Sequence, residues 1–479
     1  MIAAFDIGTT VLKGALFAED GTFLNFSSRI LVSSDAGETG CYEADTGRWK
    51  SAFTEITAEL LAKRPAAELR AVAISGNGPT LVPVGRDGSF LEPVMTWMDR
   101  RGTLQAGKIR EHQDFYIDPT FYLPKALWIM DECPEIYDKS EYFLSCPESM
   151  AFWLTGEALT ILPGSHFEKY FWNDGLLDAL GIDKNKFPGF RKPGCIAGRI
   201  TAKGSSESGL PSGVPVVSAG PDFLVTLLGT AAVYPGRACD RAGTSEGINL
   251  CSEKYIEDPR LMGYGHVAEP WFNVSGIIST SGRALDWLKS RLGCGAESFA
   301  DFLKAAEGVR AGADKLIFLP YLAGERAPHW DPAARGAFIG LGLNHGRNEM
   351  VKAVLESIGY AMRDVIDVMA ENHASVDELR ITGGPSKSPL WNQIKADITG
   401  RKILVPDSTE SELLGNLVLA LRALGDSDDL AGTADRIVSI STVYEPDLEK
   451  NKVYEDYYEL YRRSYKNLKE IFAHLNKLA

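Results

Sequence analysis

Positive charge is in short supply: 50 lysines and arginines stand against 64 aspartates and glutamates, a formal net charge of −14. No basic stripe offsets that balance, so a phosphate backbone is repelled and nucleic acid is not an expected partner. Long apolar runs are missing as well. No stretch approaches the ~20 residues of a membrane span, and the apolar opening from Met1 to Phe5 is interrupted by Asp6 before it could act as a signal-peptide core. The expectation is a cytoplasmic protein with no membrane partner. Cysteine is sparse and odd in number (Cys41, Cys133, Cys146, Cys195, Cys239, Cys251, Cys294), with no C-x-x-C and no histidine at ligand spacing. That pattern argues against a disulfide framework or a structural zinc and for reduced thiols. The histidines are dispersed and form no H-E-x-x-H. Neither a P-loop nor a dinucleotide glycine fingerprint occurs.

The chain does have the means to bury large cores. Its 479 residues are 45% hydrophobic, and that length predicts two domains, divided at 1–235 and 236–479. Ile2 to Phe5, Val11 to Phe17 and the run after Glu19-Asp20-Gly21 read as consecutive antiparallel strands. A helix-length segment follows from Thr46 to Arg64, and a Gly/Pro/Ser-rich stretch from 192 to 215 marks the approach to the end of the first domain. Val351, Val354, Leu355, Ile358, Met362, Val365, Ile366 and Met369 fall on one helical face and predict a core helix. The C-terminal segment predicts another helix, packed back through its tyrosines.

One scheme occurs twice. "MIAAFDIGTTVLKGALF" and "RACDRAGTSEGINLCS" each place small and hydroxyl residues in a turn between two strands. Two similar α/β domains across a cleft, each presenting a loop to one ligand, are the expected consequence. In the first turn, the backbone N–H groups and hydroxyls of Gly8, Thr9 and Thr10 suit phosphate oxygens, although a plain hairpin uses the same residues. Asp6 would be repelled by phosphate, so its useful role runs through a divalent cation or the cation's water. The second turn, Gly243-Thr244-Ser245-Glu246-Gly247, also matches the G-x-S-x-G of serine hydrolases. That elbow needs a helix after the serine, and "INLCS" reads as a strand.

Asp222 closes the strand-like run "VPVVSAGP" and precedes a helix. A carboxylate there points into the crevice where open α/β sheets bind ligands, and it would equally serve as a helix N-cap. Gly383 and Gly384 follow the strand-like "ELRIT", with Ser386 and Ser388 ahead of an amphipathic helix. Paired glycines admit a flat ring close to the backbone, and a simple strand–loop–helix connection would look similar.

Together these stretches resemble the FGGY family of carbohydrate kinases in the actin-like ATPase superfamily. "DIGTTVLKG" is similar to the family's first phosphate motif, "AGTSEGINL" to its second and "TGGPSKSPLWNQIKADITGRKI" to its adenosine motif. "FYLPKALWIM" and "GAFIGLGLNHGRNEMVKAVLES" resemble the two family signatures, and "PYLAGERAPHWDPAARGAFIGL" is similar to the xylulokinase branch. The resemblance implies an α/β protein of two ribonuclease-H-like domains flanking a catalytic cleft that binds ATP, Mg²⁺ and a small sugar. It implies Asp222 as catalytic base, Asp6 near the magnesium through water, and Gly8, Thr9, Thr10 and Lys13 around the phosphates. Gly243 and Thr244 would hold phosphates from the second domain, while Gly383, Gly384 and Ser388 would line the adenosine. Asn77, Gly78, Trp97, Asp99 and Arg100 fall at sugar-side positions. Trp97 could also be a core aromatic, and Asp99 with Arg100 a surface ion pair. Glycerol kinases carry an Arg-Glu pair where this chain has Gly78-Pro79 and a tyrosine where it has Thr120, and xylulokinases carry a histidine that is missing beside Asn77-Gly78. The expected acceptor is a small ketose or polyol, a pentulose such as xylulose first; a catalytically silent binding module is the alternative. A homodimer is one expectation for the assembly.

Overall fold

The computed structural model describes residues 1–31, 40–113, 115 and 117–478. It divides into two compact units, Met1–Gly229 with Ser411–Ile437, and Thr230–Glu410 with Val438–Ala479. A single cut at 235/236 therefore misses a return of the chain. The helix Ser411–Ala423 belongs to the first unit because it packs backbone to backbone on the helix Asp222–Gly229. A Cβ added at Gly229 would lie 1.7 Å from the Ser411 carbonyl oxygen, and one at Gly415 would lie 1.9 Å from that of Val225. Only glycine permits that approach. The 192–215 stretch lies inside the first unit.

The first unit's main sheet is built from β1 (Ile2–Ile7), β2 (Val11–Phe17), β3 (Phe23–Ile30), β4 (Ala71–Gly76), β5 (Cys195–Arg199) and β6 (Pro215–Pro221). Its spatial order is β3-β2-β1-β4-β6-β5. β1, β2 and β3 pair antiparallel, as their alternation predicted, whereas β1, β4 and β6 run parallel. β1 and β4 are buried at every position, which is why they read as continuous apolar runs rather than alternating ones. The predicted helix spans Thr46–Leu61, capped by Asp45, which accepts the Arg48 N–H. Its apolar stripe of Trp49, Phe53, Ile56 and Leu60 covers the sheet, and Phe53 stacks on Phe5 with ring centroids 3.9 Å apart.

The second unit repeats this kernel with β7 (Arg237–Ala242), β8 (Glu246–Ser252), β9 (Met262–Gly265), β10 (Phe272–Ile278), β11 (Glu378–Thr382), β12 (Lys402–Pro406) and β13 (Ile440–Tyr444). The order is β9-β10-β8-β7-β11-β12-β13. Here β7, β8 and β10 are antiparallel neighbours, and β7, β11 and β12 are parallel. Three antiparallel strands followed by two parallel ones, present in both sheets, give the ribonuclease-H-like architecture that the family resemblance implied. The helix Arg347–Glu371 buries the predicted stripe from Val351 to Met369. The helix Leu448–Leu475 packs back as expected: Tyr454 donates to Glu356 at 2.9 Å, Tyr458 to Asp364 at 2.7 Å, and Tyr461 and Tyr321 share a 2.6 Å hydrogen bond. Among the described residues no helix is long and apolar enough to cross a membrane.

Candidate active site

In the first unit the parallel strands β1, β4 and β6 bring their carboxyl ends level, with Ile7 beside Gly76 and Gly76 beside Pro221. Asp6 and Asp222 lie at that edge, the place where an open α/β sheet collects ligands. Asp222 opens its helix and is half-buried, so it is both the first residue of the helix and open to a ligand. Asp6 is buried; its Oδ1 accepts from Ser75 Oγ at 2.7 Å, and Ser75 Oγ accepts from Asn416 Nδ2 at 2.9 Å. Burial first, then the negative charges of Glu412 and Asp222, push the Asp6 carboxyl up to about 8, against the Ser75 hydrogen bond and Lys13. Lys13 is the cross-strand partner of Asp6 in the β1–β2 register.

The turn after β1 is tight. Gly8 N–H donates to the Val11 carbonyl at 3.0 Å, and a Cβ at Gly8 would sit 2.7 Å from that oxygen. Thr10 is exposed at the tip, and Thr9 Oγ1 accepts from Trp97 Nε1 at 2.9 Å. Trp97 is thus a 38% exposed side chain bonded to the turn, not a core aromatic. Asn77 is buried, donating through Nδ2 to the Ile7 carbonyl at 2.9 Å. It lines one cavity together with Gly8, Thr9, Tyr42, Arg48 and Thr96. Gly78 forms a cis bond to Pro79, and a Cβ there would be 3.2 Å from Tyr122 Oη and 3.6 Å from Pro221.

Asp99 and Arg100 do not form the surface pair that their adjacency suggested. Asp99 is fully buried and accepts from the Tyr42 N–H at 2.9 Å, the Arg101 N–H at 3.0 Å and the Arg101 guanidinium at 2.8 Å. Arg100 is exposed and reaches Asp118 at 3.3 Å. Asp99 therefore anchors the 97–101 loop from within, and its neighbour faces outward.

The second unit builds its own site on β7–β8. Gly243 N–H donates to the Ser245 carbonyl at 2.9 Å, Ser281 N–H to that of Thr244 at 3.0 Å and Gly282 N–H to that of Gly243 at 2.9 Å. The Thr244 side chain is left exposed. A strand, not a helix, follows Ser245, so the nucleophile elbow of a serine hydrolase is not formed. Gly383 has φ +88°, and its Cβ would fall 2.0 Å from the Ala242 carbonyl oxygen, so the diglycine loop rests directly on the end of β7. Gly384 meets nothing within 4 Å, leaving one open backbone face. Ser388 Oγ caps the helix Pro389–Thr399 by accepting the Trp391 N–H at 3.3 Å.

Several residues at these sites escaped sequence reasoning. Glu412 acts on Asp6, and Asn416 bonds its partner Ser75, from a segment some 400 positions away in the chain, and Tyr122 lies beside Gly78 at the start of its helix. Asp240, Glu246 and Lys395 are all fully buried. For Lys395 a signal existed: it stands four residues after Trp391 on the buried face of its helix.

The sheet order repeated in both units, with a carboxylate at the ends of the first unit's parallel strands and a small-residue turn in each unit, is that of the actin-like ATPase fold. The chain belongs to the FGGY family of carbohydrate kinases, whose N-terminal domain matches residues 1–229 and whose C-terminal domain matches residues 241–424. It is an ATP-dependent sugar kinase, a phosphotransferase with an alcohol group as acceptor. It is 28% identical over 494 residues to the xylulose kinase of Staphylococcus epidermidis, a match covering 99% of this chain and 98% of the relative. Two solved structures from Lactobacillus acidophilus, a gluconate kinase at 25% identity and a ligand-bound xylulose kinase at 26%, superpose with TM-scores of 0.88 and cover 99% of each chain.

Proposed function

We propose that the acceptor is a small open-chain sugar, a pentulose such as xylulose first, and that Asp222 takes the proton from the hydroxyl that attacks the γ-phosphate of ATP. The observation that carries this reading is the placement of Asp222 at the carboxyl ends of β4 and β6, half-open and beside the buried Asp6. Phosphoryl transfer needs positioning and charge compensation more than covalent chemistry, and one oriented carboxylate supplies the base. Gly8, Thr9, Thr10 and Lys13 contribute phosphate contacts in the first unit, and Gly243 and Thr244 in the second. Gly383, Gly384 and Ser388 line the adenosine, with Gly384 offering its open face to the ring. Asn77, Gly78 and Trp97 border the sugar, with Arg100 at its outer edge; Asp99 acts through the loop it anchors.

Mg²⁺ suits the donor set. Among the described residues no group of three or more His, Cys, Asp or Glu has metal-binding geometry, and Mg²⁺ is ordinarily held by one or two carboxylates, water and substrate phosphates. Asp6, raised to about 8 by burial first and then by neighbouring acids, is a carboxylate that a nearby cation would ionise. Bound there through water, Mg²⁺ would neutralise phosphate charge.

Gluconate is the second reading, favoured by the gluconate kinase among the solved structures. A coupled ADP-release assay over xylulose, ribulose, gluconate, glycerol and hexuloses tests both. Turnover with xylulose or ribulose above all others is expected, and a clear preference for gluconate would replace the pentulose. Asp222→Asn is expected to lower turnover about 100- to 10,000-fold with ATP binding retained; near-normal turnover would remove Asp222 as the base, and no turnover with any of these acceptors in the wild type would overturn the pentulose and gluconate readings alike.

A further inference from the structure

Three charged side chains without solvent exposure meet at the base of the 243–245 turn, and the chemistry proposed above uses none of them. Lys395 Nζ donates to Asp240 Oδ2 at 2.8 Å and to Glu246 Oε1, while Ser281 Oγ donates to Glu246 Oε2. Asp240 lies on β7 three residues before Gly243, and Glu246 is the first residue of β8 after the turn. Ala242 faces Glu246 and Asp240 faces Ile248 in the register, so the two acids are diagonal neighbours on the same face of the hairpin. Two acids with one ammonium would leave an unbalanced buried charge. Burial and Glu246 hold the Asp240 carboxyl well above the usual range against the pull of Lys395. Burial works against the Lys395 charge, but Asp240 and Glu246 outweigh it.

Desolvation makes such a cluster a poor source of net stability, so its value lies in what it fixes. Lys395 sits on the helix Pro389–Thr399, which starts where the Gly383-Gly384 loop ends. Ser281 precedes the helix Gly282–Arg291, whose first N–H groups hold the Gly243 and Thr244 carbonyls. A single buried ammonium therefore ties the phosphate turn to the helix behind the diglycine loop, and Glu246 ties it to a third element.

We propose that Lys395, Glu246 and Asp240 are positioning residues for the nucleotide, holding the Gly243-Thr244-Ser245 turn in fixed register with the Gly383-Gly384 loop so that one ATP meets both. The proposal rests on the reading of these loops as the ATP contacts. The test is a fluorescence titration of the full-length protein with the methylanthraniloyl derivative of ATP and Mg²⁺, alongside KM for ATP and for sugar. The neutral variant Asp240→Asn/Glu246→Gln/Lys395→Met removes every charge at nearly constant volume and is expected to fold with native circular dichroism. Its nucleotide Kd and KM for ATP are expected to rise about tenfold with KM for sugar unchanged, the pattern of a misplaced turn. Lys395→Arg is expected to retain most of the wild-type affinity. A folded neutral variant that binds the nucleotide as tightly as wild type would overturn the proposal. If the triple variant does not fold, Glu246→Gln, which leaves Lys395 paired with Asp240, carries the same expectation and the same refutation. Failure of the wild type itself to bind the nucleotide would overturn the assignment of the two loops to ATP, and the proposal with it.

Discussion

Asp6 and Asp240 hold comparable places, each near the carboxyl end of the first strand of its sheet and just before a Gly-Thr turn, and burial raises both carboxyls, but their charged partners differ. Asp240 shares a fully buried ammonium with Glu246. Asp6 shares its surroundings with further acids, Glu412 and Asp222, and is raised to about 8. One topology thus carries an acid bonded to a buried ammonium and an acid set among two further acids and Lys13. Strand order sets where the acid stands; the side chains brought from distant segments decide whether it serves structure or chemistry.

The comparison breaks most severely at Lys395. Lys395→Met leaves two buried acids without their cation and is expected to cost about 3–5 kcal/mol, whereas Ser75→Ala beside Asp6 is expected to cost only about 1–3 kcal/mol. Urea unfolding followed by fluorescence checks the pair, and equal losses would show that the two acids are compensated alike. Next come the glycines that bring the turns together. Gly383→Ala, strained at φ +88° and 2.0 Å from the Ala242 carbonyl, is expected to cost at least about 1–3 kcal/mol, with Gly384→Ala near neutral in the same measurement.

The pH dependence sharpens the contrast further. The Asp6 carboxyl titrates at about 8 in the folded chain against 3.8 for a free one, so the native state holds the extra proton between those values. Stability is then expected to fall as pH rises from about 4 to about 8 at up to ~1.4 kcal/mol per unit and to level off above, with Asp6→Asn flattening the slope. Unfolding midpoints taken across this range provide the check; an identical slope in the variant would place the titration elsewhere. The smallest effect is expected at Trp97→Phe, which removes the Thr9 hydrogen bond and should change KM by several-fold, about 1 kcal/mol. An unchanged KM for both ATP and sugar would show that the bond does not orient the turn.

Local pattern was enough for much of this molecule. The first three strands, the Val351 to Met369 stripe, the tyrosine-rich last helix and the repeated strand–turn–strand were all legible, because alternation, helical periodicity and turn residues act over a few positions. The paired turns, together with Asp222 after a buried strand, marked out the candidate sites for the same reason. The domain division was less legible. The return of Ser411–Ala423 to the first unit depends on Gly229 meeting the Ser411 backbone and Gly415 that of Val225, a match between residues nearly 200 positions apart that no local window contains.

The sequence by itself determined the two α/β units, their hydroxyl-bearing turns and the acids at strand ends, since each follows from residue type and near-neighbour spacing. Only the tertiary structure decided what those acids experience. Parallel pairing set Asp6 and Asp222 at one edge, a distant helix added Glu412 and Asn416, and the folding of the helix Pro389–Thr399 against β7 and β8 placed Lys395 on Asp240 and Glu246. Charge interactions fall off within a few ångströms and strengthen with burial, so they are fixed by positions in space that the order of residues along the chain does not reveal.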